Sequence, residues 1–157
     1  YELVEAQSGK QVFSETYVLL KDREKLILSK RKLTTKNEGF IIESITSKVN
    51  IPLKLTFSKV VNIFETNSNC IFVDEDKIKF PLTIRKWQKG DYFYPTGMNG
   101  KKKLSKYFKD EKYSLIDKEN QWLLCLQDQI IWVIGKRADN RYIAHETTQN
   151  SIKIELK

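Results

Sequence analysis

Ile78-Lys79-Phe80-Pro81-Leu82-Thr83-Ile84-Arg85-Lys86-Trp87-Gln88-Lys89-Gly90-Asp91-Tyr92-Phe93-Tyr94-Pro95-Thr96-Gly97-Met98 is the stretch on which the reading of the fold turns. Ile78, Phe80, Leu82 and Ile84 fall on one side of a period-two pattern, with Lys79 and Thr83 on the other, which predicts a strand over 78–87. Pro81 has no N–H to give a ladder, so this strand is expected at a sheet edge or starting near the proline. Gly90-Asp91, Pro95-Thr96-Gly97 and then Asn99-Gly100 are turn signals. Short strands separated by tight turns imply a β-rich fold.

Short apolar runs continue in both directions. Tyr17–Leu20 and Leu26–Leu28 flank a polar loop, Lys21 to Lys25, and predict a hairpin. Phe40–Ile45, Leu53–Phe57, Val60–Phe64 and Cys70–Val73 are β-like, with a turn at Asn37-Glu38-Gly39. Trp122–Leu126 and Ile130–Ile134 bracket Gln127-Asp128-Gln129 as a second hairpin. Ile152, Ile154 and Leu156 alternate with Lys153, Glu155 and Lys157, which predicts a half-buried terminal strand. Glu2–Gln7, stopped by Ser8-Gly9, reads as the last turn of a helix. Lys101–Lys109 is the best helix, with Leu104, Tyr107 and Phe108 spaced i, i+3, i+4. The expected class is α+β and strand-rich: two small β-rich units, one or two short helices, mixed or antiparallel sheets. The division is placed at 1–75, a first β-rich linker or subdomain, and 76–157, where the basic segment begins.

The chain has 157 residues, 40% apolar and 31% charged, with a formal net charge of +8. That is a globular composition of one ordinary domain or two small ones. No apolar run approaches the roughly 20 residues of a membrane span. Tyr1-Glu2-Leu3 carries no signal-peptide pattern and reads like the end of an element, as in a piece of a longer protein. Cys70 and Cys125 lie in apolar strands without a CxxC, and His145 is the single histidine, so buried free thiols are expected rather than a zinc site. Asp74-Glu75-Asp76 reads as a solvated turn rather than a metal site. No glycine-rich phosphate loop and no acid–base constellation is present, so no catalytic residue and no cofactor is assigned to these residues.

Charge is concentrated in one place. Residues 80–112 hold nine lysines and arginines against three acids, a local balance of +6. Trp87, Tyr92, Phe93, Tyr94, Tyr107 and Phe108 interleave with them. A basic, aromatic, turn-rich segment suits a polyanion, nucleic acid first. Lys101, Lys102 and Lys103 stand at the helix end where the dipole disfavours cations. Either they meet a phosphate there or they lie in solvent before the helix begins. Arg137 and Arg141 can fork a phosphate, or one of them can pair with Asp139 on the surface. Trp87 can stack on a base, though a core position suits it better.

Residues 81–98 resemble the opening of the C-terminal domain of tRNA(Ile)-lysidine synthases, whose pattern reads P-L-x-[IVL]-R-x-W-x-x-G-D-x-F-x-P-x-G-M. The likeness continues through Lys102-Lys103-Leu104, Phe108, Leu123-Leu124, Ile131-Trp132-Val133, Gly135 and Arg137. Upstream, Asp74-x-Asp76-Lys77 and Lys10 to Leu28 are similar to the family's preceding region. Tyr113–Lys118 depart from it, where many members carry a proline and arginines. The resemblance implies a cytoplasmic ATP-dependent ligase whose chemistry the family carries on a separate N-terminal ATP-pyrophosphatase domain with an S-G-G-x-D-S loop, a loop absent from these residues. ATP, with Mg2+, belongs to that domain. The family joins lysine to the wobble cytidine of a CAU-anticodon tRNA(Ile), and its C-terminal part helps hold the tRNA body and acceptor stem. The residues expected to meet RNA are Arg85, Lys89, Lys101, Lys102, Lys103, Lys106, Lys109, Arg137 and Arg141. The implied partners are that tRNA and the chain's own N-terminal catalytic domain. The alternative is a dimerisation or domain-docking module, including a homodimer, without RNA contact.

Overall fold

The computed structural model describes residues 3–14, 16–30, 39–61 and 67–157. Its strands are β1 (Gln11–Phe13), β2 (Tyr17–Asp22), β3 (Lys25–Lys30), β4 (Phe40–Ile42), β5 (Leu55–Val60), β6 (Cys70–Asp74), β7 (Leu82–Lys86), β8 (Tyr92–Phe93), β9 (Lys102–Lys103), β10 (Trp122–Leu126), β11 (Gln129–Val133) and β12 (Ser151–Leu156). Two short helices, α1 (Leu104–Asp110) and α2 (Leu115–Asn120), join β9 to β10. The strands form antiparallel sheets in the orders β1-β2-β3, β11-β10-β7-β4, β5-β12-β6 and β8-β9. The fold is strand-rich α+β.

The apolar alternation of these strands makes a core with two compartments. Ile42, Leu82, Ile84, Leu124 and Trp132 from the four-stranded sheet pack against Ile71, Val73, Ile152 and Ile154 from the β5-β12-β6 sheet. Leu123, Cys125, Ile130 and Val133 bury the other face of β10 and β11 under Leu104, Tyr107 and Phe108 of α1, with Phe93 beside them. β10 is therefore covered on both faces, which is why Leu123-Leu124-Cys125 reads as an unbroken apolar run rather than an alternation. A register shift at Leu124/Cys125 accommodates the two packings. Each buried leucine or phenylalanine of this second compartment contributes about 1.5–3 kcal/mol.

Several expectations take a different form. Residues 3–8 form turns and bends, not the end of a helix, although Gly9 does adopt a left-handed φ of 100°. The strand foreseen over 78–87 is confined to 82–86, beginning directly after Pro81 and lying between β4 and β10. The missing N–H of Pro81 thus falls outside the ladder, and the strand itself is interior. The first hairpin is tighter than its polar loop suggests: β2 and β3 pair as far as Asp22 and Lys25, leaving Arg23-Glu24 as the turn, with Arg23 at φ 54°. α2, the second of the one or two short helices expected, has no apolar stripe to announce its position. Its local cause is a capping box, in which the Ser114 side chain accepts from Asp117 N and the Asp117 carboxylate accepts from Ser114 N. Glu2, the Asn37-Glu38 part of the predicted turn, and Asn62-Ile63-Phe64 lie outside the described residues.

Candidate nucleic-acid interface

Lys101–Lys103 precede the predicted helix instead of opening it. Lys102-Lys103 is β9, paired with Tyr92-Phe93, and α1 starts at Leu104 with Lys103 as its N-cap. The reason is the ladder: Phe93 is fully buried, and the register Phe93↔Lys102, Tyr92↔Lys103 fixes the backbone as a strand up to that point. The lysines therefore lie ahead of the helix rather than in its first turn.

Period two then sorts the three lysines. Lys102 shares a face with Phe93. Its side chain is only 14% exposed, and its Nζ reaches the Asp110 carboxylate at 2.8 Å and the Tyr107 ring at 5.9 Å. Lys102 holds the Asp110 carboxyl below its ordinary range by that hydrogen bond. Lys101 and Lys103 share the opposite, outward face with Tyr92 and are exposed. Along α1, Leu104, Tyr107 and Phe108 point into the core, which leaves Lys106 and Lys109 outward. Among the described residues none of Lys101, Lys103, Lys106 and Lys109 makes an ion pair. Asp110, one of two adjacent acids beside these lysines, is taken up by Lys102. Lys89 is exposed in the turn before β8.

The three arginines sit differently. Arg85 is 9% exposed and bidentate to Asp91, with N–O distances of 2.8 and 2.9 Å, and it also donates to the carbonyls of Lys86 and Asp128. Its donors are consumed inside the fold. The hydrogen bond to Asp91 raises its pKa further, so it stays charged. Arg141 is bidentate to Asp139, a carboxylate with no exposure at all, and its guanidinium lies 4.5 Å from the centre of the Tyr94 ring. Asp139 pairs with Arg141 and not with Arg137. Arg137 is half-buried and donates to the Thr96 carbonyl at 2.9 Å, and its charge near the Tyr107 phenol opposes the rise that burial gives that group. Arg85 and Arg141 thus tie the 85–98 segment to its surroundings, while the lysines supply the free charge. Sequence reasoning could not separate these roles, because an arginine reads alike whether its carboxylate partner is near or absent.

The aromatics divide as well. Trp87 packs edge-on against Phe108 at 5.6 Å, half-buried at the rim of the α1 compartment. Trp132 is fully buried, whereas Trp122 is partly buried under the Lys86 ammonium, 3.7 Å from its ring. Both cysteines are buried free thiols, and burial pushes Cys125 up to about 12. Asp74 caps the 3-10 turn at 75–77 and pairs with Lys77, while Glu75 pairs with Lys59. Among the described residues no group of three or more His, Cys, Asp or Glu side chains could hold a metal. No helix among them is long and apolar enough to cross a membrane.

Comparisons with known proteins agree on one family. Residues 1–31 match the family described as TilS substrate binding domain, and residues 82–156 that described as TilS substrate C-terminal domain. A tRNA(Ile)-lysidine synthase of Parabacteroides distasonis is 42% identical over 96% of this chain and 35% of its own length. One of Bacteroides thetaiotaomicron is 40% identical over 93% of this chain and 32% of its own. The chain spans about a third of the length of these curated relatives. A solved structure described as a TILS C-terminal domain superposes with a TM-score of 0.62 over 76% of this chain and 97% of that one, at 18% identity, which establishes likeness of fold.

Proposed function

Because the chain belongs to the tRNA(Ile)-lysidine synthase family and matches its C-terminal region, we propose that it is the tRNA-gripping part of a ligase that joins lysine to the wobble cytidine of a CAU-anticodon tRNA(Ile). The observation that carries this is the outward set Lys101, Lys103, Lys106 and Lys109, without ion pairs among the described residues and running along β9 and α1 beside the buried apolar compartment. An A-form stem offers phosphates and a shallow groove, and fixed ammonium groups read that shape. A second grip far from the anticodon raises effective concentration and adds discrimination between similar tRNAs. Lys89, and Arg137 where its remaining donors reach outward, extend the same surface. Arg85, Lys102 and Arg141 act by positioning.

The proposed ligase would use ATP, but the residues of this chain do not fit it. The S-G-G-x-D-S pattern is absent from the sequence, and the acids Asp74 and Glu75 are engaged by lysines. No chemical step is assigned to these residues. The chain alone should support neither lysidine formation nor ATP–pyrophosphate exchange, and tRNA- and lysine-dependent pyrophosphate release by purified chain would overturn that. The RNA reading is tested by a salt titration of tRNA binding to the purified chain. Salt-sensitive binding that weakens in Lys106→Ala and Lys109→Ala is expected. Binding that ignores both salt and these lysines would refute it.

A second reading has its own support. Val12, Leu19 and Leu28 lie in register across β1, β2 and β3, and Tyr17 and Leu26 share their face. Val12, Tyr17, Leu26 and Leu28 are all exposed. Such a face suits docking onto another protein surface, and sedimentation of the chain over a concentration series tests it: association without RNA affinity would favour docking alone.

A further inference from the structure

The geometry points to Tyr92 and Tyr94 as a stacking platform for an unpaired nucleotide of the bound RNA, a site that rests on the RNA-binding reading and adds to it a structural feature of the substrate. Tyr92 and Tyr94 flank Phe93, which is fully buried, so their side chains stand on the side of the strand away from the core. Their ring centroids are 6.3 Å apart with an interplanar angle of 75°. A cation caps each end of the pair: the Lys101 ammonium lies 3.6 Å from the Tyr92 centroid, and the Arg141 guanidinium 4.5 Å from that of Tyr94. The result is a cation–ring–ring–cation row on the same outward face as Lys103.

This row is held by the backbone rather than by itself. Tyr92 is laddered to Lys103. Tyr94 N–H donates to the Asp139 carboxylate at 2.9 Å, and the Tyr94 carbonyl accepts from Asn140 N at 2.7 Å. Asp139, wholly buried, also fixes Arg141 against the Tyr94 ring. Rings fixed before binding lose little freedom on contact. Tyr92 nonetheless keeps 37% of its surface exposed. Its cover is the Lys101 ammonium on a flexible exposed stem, which a base can displace and which can then move to an adjoining phosphate. A base inside a stem has both faces stacked, whereas an unpaired base offers a free π-face. The neighbouring cations favour a nucleotide over a neutral apolar partner.

The test uses the purified chain with labelled RNAs that share one stem: a blunt hairpin, the same hairpin with a short 3′ tail, and the same with a short 5′ tail. The wild-type chain should bind one tailed RNA about fivefold to a hundredfold tighter than the blunt one, the range of a single stacked base. Tyr92→Ala should erase that preference, bringing the tailed RNA to the affinity of the blunt hairpin, and Tyr92→Phe, which keeps the ring, should keep it. Equal binding of all three RNAs by wild type would overturn the platform, as would a tail preference that survives in Tyr92→Ala, or an equal loss for tailed and blunt RNA. In each of these cases salt-sensitive, lysine-dependent binding of the blunt hairpin would leave the broader RNA reading standing. Failure to bind any of the RNAs would overturn both.

Discussion

Replacing Asp139 by alanine should destabilise the protein by about 2–4 kcal/mol, because one buried carboxylate anchors two segments at once. Its oxygens accept from Tyr94 N, Arg141 N, Arg141 Nε and Arg141 Nη2, at 2.8 to 3.0 Å. Removing one partner of a fully buried ion pair costs about 3–5 kcal/mol. Here the Arg141 side chain is 32% exposed, so water can take over part of its guanidinium, and the share from the pair falls to about 1–3 kcal/mol. The Tyr94 N–H, left without an acceptor, adds about 1 kcal/mol. For a chain of this size the sum corresponds to a fall in melting temperature of roughly 4–16 °C. Thermal unfolding followed by near-ultraviolet circular dichroism reads it, since Tyr92, Tyr94 and Tyr142 surround the pair. Arg141→Ala alone should cost less than Asp139→Ala, and the double variant should be less destabilised than the sum of the singles. A melting temperature for Asp139→Ala within about 1 °C of wild type would refute the reasoning, as would strict additivity of the two substitutions.

Arg137→Ala should lower the melting temperature by a few degrees, through loss of the hydrogen bond to the Thr96 carbonyl and of the half-buried stem; a flattening of the salt dependence of tRNA binding by about one phosphate in the same variant would show that it also meets RNA. With Lys101, Lys103, Lys106 and Lys109 as the phosphate contacts, the slope of log K against log salt should be about −3 to −4 on a duplex scale, and Lys103→Ala should flatten it more than Lys102→Ala, whose ammonium is engaged by Asp110; the reverse order would overturn the sorting of these lysines. Cys125 should resist thiol reagents at pH 8 in the native protein and react after denaturation. Because burial raises its folded pKa from 9.0 to about 12, its contribution to stability is whole below pH 9.0 and is lost as pH climbs toward 12; melting curves of wild type and Cys125→Val at pH 8 and 10.5 should diverge in that direction, and parallel curves would refute it.

The sequence by itself determined the strands whose burial follows from local pattern. Trp122–Leu126 and Ile130–Ile134 are apolar runs on either side of the short polar stretch Gln127-Asp128-Gln129, so the hairpin was legible. The same holds for Ile152, Ile154 and Leu156 and for the concentration of charge in residues 80–112, whereas Pro81 left an edge strand and a strand start both open until the pairing was known. The motif from Pro81 to Met98 was specific enough to carry the family. What only the tertiary structure decided is what each polar side chain faces. Lys101, Lys102 and Lys103 are indistinguishable as letters, and a run of lysines has no hydrophobic period to show whether it is strand or helix. Pairing with Tyr92-Phe93 made it strand and turned the middle lysine inward. Arg85, Arg137 and Arg141 likewise look equally suited to a phosphate until Asp91, the Thr96 carbonyl and Asp139 are brought against them. Hydrophobic burial is written into local periodicity because it is non-directional and depends on how much apolar surface an element must hide. A charge's role depends on one partner at about 3 Å, and that partner is chosen by how distant segments pack.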